Sequence, residues 1–198
     1  MDTKVLTEPE ISIPDHLVYE MIEGMPIPYR GYESVLFQKK TLDDIMGSSS
    51  LQSALVSIAL QFLYQKLSDN KYFIATNEAG LHIDKRNNLA TDIGIFDAKI
   101  LKSLNDKYFT QPPLIAIEVD TKADLQQFPD PVNYYHTKTR KLLEFGVEKV
   151  IWITTATQKV MIATSKTDWI TTDWKNDVVV IEDVKLNIQQ LLKKRGIN

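Results

Sequence analysis

Four charged residues alternate along one stretch of this chain: Glu118, Asp120, Lys122 and Asp124 in "PPLIAIEVDTKADL". The apolar half of that stretch, "LIAIEV", has the composition of a strand covered on both faces. Strand alternation would put Glu118, Asp120 and Lys122 on one side of it. A carboxylate ending a core strand is costly unless it is paired or bound to a metal. Asp92, in "LATDIGIFD", has the same setting near the start of another apolar strand. Two acids on neighbouring strands repel, and a divalent cation or a lysine removes that penalty. Lys138 is the third such residue. On a wheel of about 100° per residue it falls inside the apolar arc of Val132, Tyr135, Leu142, Leu143 and Phe145.

Two acids and a lysine arranged this way suit metal-dependent phosphodiester cleavage. Carboxylates hold Mg²⁺ through oxygen and leave positions for water and a substrate phosphate. The metal activates the water, and the lysine orients it or stabilises developing charge. Each residue also has a plainer reading. Asp92 and Glu118 would then cap or form salt bridges, and Lys138 would snorkel to solvent.

The elements that must position these residues are legible in outline. The segment 1–16 is polar with two prolines and reads as a loosely docked arm ahead of a single domain over 17–198. "LVYEMIEGMPIPYRGYES" predicts a strand or hairpin broken by turns. "SSSLQSALVSIALQFLYQKL" predicts a serine-capped helix with a buried stripe of Leu51, Leu55, Ile58 and Phe62. "KYFIAT" and "GLHID" predict two strands joined in a hairpin at Asn77–Gly80. "DPVNYYHTKTRKLLEFG" predicts a helix with Pro131 in its first turn and Gly146 at its stop. "VIWITT" and "KVMIAT" predict a hairpin, and the C-terminal part a short strand and a small helix. Trp169 and Trp174 suit a domain edge or a dimer interface. This element order argues for one α/β domain with a central mixed sheet flanked by helices.

Composition narrows the function. The chain has 198 residues, 43% of them hydrophobic and 25% charged, as expected of a soluble globular domain. It has no cysteine, which excludes disulfides and thiolate metal sites. A net charge of −3 speaks against tight nonspecific nucleic-acid binding, although "KTRKLLEFGVEK" and "KKRG" are local basic spots. No leader or membrane-length apolar run is evident, so a cytoplasmic location is expected. The three histidines show no zinc spacing, and no phosphate-binding glycine loop or serine nucleophile elbow occurs.

With these residues in place, the chain resembles the Uma2 family of restriction-endonuclease-like proteins, a branch of the PD-(D/E)XK nuclease superfamily. The resemblance runs from about Leu51 to Trp152 and rests on "ATDIGIF", "PPLIAIEVDTKADL" and "KTRKLLEFGVEKVIWI". It implies a restriction-endonuclease-like fold and a Mg²⁺ (or Mn²⁺) dependent DNA endonuclease. It matches Asp92 to the first acid and Glu118 to the second, with Asp120 a further candidate ligand. Thr91 stands where the motif has proline, and Asp120 where many members have lysine. Lys138 then resembles a relocated lysine, with Lys122 a second candidate. The first helix offers Gln52 where many such nucleases carry an acid, and Glu78 could substitute. A homodimer is implied by analogy. Two readings stay beside the DNA nuclease. One is cleavage of RNA or structured DNA. The other is a catalytically inactive nuclease-fold module that binds protein or nucleic acid.

Overall fold

The fold was obtained as a computed structural model, which describes residues 13–126 and 128–197. Most of the arm expected over 1–16 lies outside those residues. What is described of it enters a short 3-10 turn at Asp15–Leu17, with Leu17 fully buried.

Among the described residues ten strands and five α-helices follow in the order β1(Val18–Ile22), β2(Met25–Pro28), α1(Tyr32–Leu36), α2(Asp43–Met46), α3(Ser50–Lys66), β3(Tyr72–Asp84), β4(Asn87–Asp97), β5(Ile115–Val119), α4(Pro131–Phe145), β6(Lys149–Thr154), β7(Lys159–Thr164), β8(Ile170–Asp173), β9(Val178–Ile181), β10(Val184–Leu186) and α5(Ile188–Lys193). The main sheet runs β2-β1-β4-β5-β6-β7-β8, with β3 on the other edge of β4. β5 and β6 are parallel and joined by α4, while the remaining pairs are antiparallel. The expected α/β architecture, a mixed sheet flanked by helices with an N-terminal hairpin, is therefore what forms.

Side-chain period divides the sheet into two cores. Ile93, Ile95, Ile115, Ile117 and Val119 face α3 and α5. The alternate residues Phe96, Ala116, Val150 and Trp152 face α4. α3 starts where Ser49 Oγ accepts the Gln52 amide. Its buried face is Gln52, Leu55, Ile58, Ala59 and Leu63. Leu51, expected on that stripe, is exposed, because it sits one residue from Gln52 at the rim of the face. α4 carries its proline at the start and ends on Gly146 at φ 117, in the left-handed region glycine tolerates. Val132, expected inside its apolar arc, lies exposed in the first turn, before α4 reaches the sheet.

The hairpin expected at Asn77–Gly80 does not form. β3 continues as one strand of 13 residues. Asn77 and Glu78 instead make a bulge, at φ 66 and φ 55, and the hairpin turn falls between Asp84 and Asn87. Trp174 is core, packed toward α3 and α5, and does not serve an exposed edge. Among the described residues no helix is long and apolar enough to cross a membrane.

Candidate active site

Asp92 and Glu118 sit on adjacent strands. β4 and β5 pair Ile93 with Ile117, and one step further along the ladder Asp92 stands opposite Glu118. Both belong to the face that α4 covers, as alternation from Phe96 and Ala116 requires. Asp92 Oδ2 accepts the Val119 amide at 2.7 Å, which ties the acid across the strand pair. Glu118 is 2% exposed.

From above, α4 lowers Lys138 onto this face. Its side chain is fully buried and does not snorkel. Lys138 Nζ lies 3.1 Å from Glu118 Oε2 and 2.7 Å from Glu20 Oε1. Its ammonium also stands 5.4 Å from the Trp152 ring centroid. Glu20 comes from β1 and is held on three sides. Oε1 also accepts the Ala90 amide at 3.0 Å, and Oε2 accepts the Tyr134 hydroxyl at 2.7 Å. Tyr134 lies one turn before Lys138 on α4, so one helix face delivers both partners.

Glu20 was not singled out from the sequence. The signal was present: "VYEMI" places one acid among apolar residues of a short strand, as "IAIEV" does around Glu118.

Three carboxylates, Glu20, Asp92 and Glu118, thus gather around one buried ammonium. Fully ionised, they leave two negative charges uncompensated. Burial pushes the Glu118 carboxyl up to about 8; Lys138 opposes this, while Asp92 and Glu20 add to it. Burial also raises Asp92, against the Val119 amide and Lys138, which favour its ionised form. For Lys138 burial alone would favour the neutral amine, but Glu118 and Glu20 outweigh it and hold it well above the ordinary lysine value. Lys138 therefore stays cationic, and Glu118 is the carboxylate that takes up a proton as pH falls. Glu118 Oε1 is buried and has no hydrogen-bond partner among the described residues.

Glu118, Asp120 and Lys122 do not share one strand face. β5 ends at Val119, and Asp120 adopts φ 55, which breaks the alternation. Its carboxylate accepts the Thr155 amide at 2.8 Å and the Thr155 hydroxyl at 2.6 Å. Lys122 pairs with Glu78, on the bulge of β3. Gln52, from α3, donates to the Val119 carbonyl at 2.7 Å and so touches the strand end that bears the acids. Beside these residues runs an open groove of about 630 Å³, with Arg30, Lys40, Gln52, Asp120, Lys122 and Tyr135 in its wall.

Among the described residues no three His, Cys, Asp or Glu side chains form a group that could hold a metal. What stands on this face is a pair, Asp92 in the middle of β4 and Glu118 near the end of β5. Both are hard oxygen donors, one has a buried oxygen without a partner, and the cluster carries excess negative charge. This donor set fits a hard divalent cation that keeps most of its waters, as Mg²⁺ does, better than one needing a complete protein cage.

No family model matches the chain, and no curated protein does. Among solved structures, the fold is similar to that of a candidate nuclease belonging to DUF820 from Anabaena variabilis. The TM-score is 0.61 at 16% identity, over 88% of this chain and 89% of that one. At that identity the likeness is one of fold, and it spans nearly the whole of both chains.

Proposed function

We propose that the chain is a divalent-metal-dependent endonuclease of the Uma2 type, acting on DNA phosphodiester bonds. The observation that carries this reading is the buried, unpartnered Glu118 Oε1 beside Asp92. A polar atom left so, in a cluster already rich in negative charge, is costly in a merely structural site. The fold shared with a candidate nuclease supports it.

Asp92 and Glu118 would hold Mg²⁺ or Mn²⁺, which supplies Lewis-acid activation of water and charge neutralisation at the phosphate. Lys138 and Glu20 keep Glu118 oriented. The Val119 amide fixes Asp92, and α4 excludes water from behind the pair. The groove lined by Arg30 and Lys122 gives a backbone phosphate its approach. A homodimer would bring two such sites to the two strands of a duplex.

The experiment is thermal melting of wild type and Glu118→Ala with and without Mg²⁺ and Mn²⁺, followed by incubation with supercoiled DNA. A metal-dependent rise in wild type alone, with nicking that Glu118→Ala abolishes, supports the reading. No rise and no nicking would remove it.

A second reading is favoured by the complete burial of Lys138 between two acids. In it the ion network only fixes α4 against the sheet, and the chain is a non-catalytic binding module. Buried ion pairs are weak stabilisers but can be retained for specificity. That reading expects no response to either metal.

A further inference from the structure

Lys138 has no freedom to meet a substrate. Its ammonium is enclosed by Glu20, Glu118 and the Trp152 ring, and the side chain is 1% exposed. A phosphate could reach it only if it abandoned two buried carboxylates. Lys122 differs in each respect. It lines the open groove, its side chain is 15% exposed, and its ionic partner among the described residues is Glu78.

The backbone around this pair is unusual in a way that places it. In the ladder between β3 and β4, Thr76 pairs with Ile93 and Ala79 with Thr91. Asn77 and Glu78 therefore stand together opposite a single residue, Asp92. Both hold left-handed backbone, at φ 66 and φ 55, without being glycine. Such residues are disfavoured, and bulges of this kind re-aim side chains beside functional sites. Thr76 braces the bulge by donating its hydroxyl to the Asp92 carbonyl at 2.9 Å. On the other side, Asp120 at φ 55 turns the chain out of β5, and its two bonds to Thr155 hold the turn. Two residues on, the Lys122 carbonyl accepts the Arg30 amide at 2.7 Å. Two separate backbone distortions thus converge on one ion pair, directly across from Asp92.

We infer that Lys122 is the lysine that contacts the substrate phosphate, and that Glu78 is a positioning residue that holds it at the groove beside Asp92. The inference rests on the nuclease reading and deepens it, because it separates the two lysines. Lys138 orders the acids, whereas Lys122 meets the nucleic acid. Glu78 has an opposing effect on binding, since its carboxylate competes with the phosphate for the same ammonium. Its removal therefore leaves affinity unchanged or tighter, while Lys122 loses its orientation.

The test uses the full chain and a short fluorescent DNA duplex. Binding is read by anisotropy in Ca²⁺ at several salt concentrations, and cleavage is read in Mg²⁺ and Mn²⁺. Lys122→Ala is expected to weaken binding about tenfold and to lower the slope of log affinity against log salt by about one, with Lys122→Arg restoring most of both. Glu78→Gln is expected to lower kcat about tenfold with KM unchanged or lower. The double variant should match Lys122→Ala alone, since Glu78 acts through Lys122. Melting of each variant controls for folding. If wild type binds and cleaves while Lys122→Ala keeps its affinity and salt slope, the inference fails and the nuclease reading stands. If Glu78→Gln raises KM at constant kcat, the positioning role fails. If wild type neither binds nor cleaves, both fall together.

Discussion

Lys138 Nζ and Glu20 Oε1 lie 2.7 Å apart, both side chains essentially without solvent contact. This pair ties the N-terminal hairpin to α4 across the face of the sheet, and Glu118 completes the group from β5. Taking such charges out of water is expensive, and removing one member leaves the others uncompensated.

Lys138→Ala should therefore destabilise the fold by about 3–5 kcal/mol. Urea denaturation gives the value from the shift in midpoint at constant slope. Adding Glu20→Gln to Lys138→Ala should recover part of the loss, because the acid 2.7 Å from the missing ammonium no longer carries a charge. A loss under about 1 kcal/mol for Lys138→Ala would mean that the network contributes little.

Stability without divalent ions should depend on pH through Glu118. Its carboxyl is raised from 4.5 to about 8 in the folded chain, so the folded form keeps a proton that the unfolded chain has already released. The sign follows from linkage. Glu118's favourable contribution is complete below pH 4.5 and is lost as pH rises through about 8. Urea midpoints measured between pH 6 and pH 8.5 should fall in wild type, and the fall should be smaller in Glu118→Gln.

A bound divalent cation should reverse that trend, because it favours the ionised acids. At 100 times its dissociation constant the ion would add about 2.7 kcal/mol of stability. The gain should grow with pH over the same window and be lost in Asp92→Asn. Calorimetric melting with and without Mg²⁺ at two pH values checks both parts. A gain that survives Asp92→Asn would place the ion elsewhere.

Gly80→Ala probes the wall behind the bulge. A methyl group there would lie 2.6 Å from Cδ1 of the Tyr108 ring, closer than packed atoms tolerate. Phe109, the next residue, exchanges backbone hydrogen bonds with Gly80 and His82 along the outer edge of β3. The variant should lose about 1–3 kcal/mol, with faster amide exchange around residues 107–110. An unchanged melting temperature would show that this segment yields freely.

Much of the site was legible because period carries it. Alternation in "LIAIEV" and "LATDIGIF" marks Glu118 and Asp92 as acids within apolar strands, and the 3.6-residue period puts Lys138 on the apolar side of its helix; the register of β4 on β5 then brings the two acids to one face. Glu20 obeys the same logic, but its strand is short and lies between turns, so its apolar neighbours are few. The positions of Asp120 and Lys122 were not legible. They depend on left-handed backbone at Asp120, Asn77 and Glu78, and no glycine marks those points. Without that mark, alternation carries an apparent strand past Val119, and "TNEAG" reads as a turn. β8 and β10 were missed for another reason. At 4 and 3 residues they are too short for a period to be read, and they owe their form to the strands beside them.

The Glu20–Lys138 contact has a consequence for how the chain reaches this state. Its partners are 118 positions apart in sequence, so closing it means closing most of the chain. As the polypeptide emerges during synthesis, the hairpin and the strands bearing Asp92 and Glu118 are all made before α4. Until α4 docks, those acids have no ammonium and must stay hydrated, which keeps one side of the sheet open to water. The arrival of this helix is then the step that closes the ion cluster. Such distant pairings slow that step, and it is the moment at which the unfinished chain is most exposed to association with others.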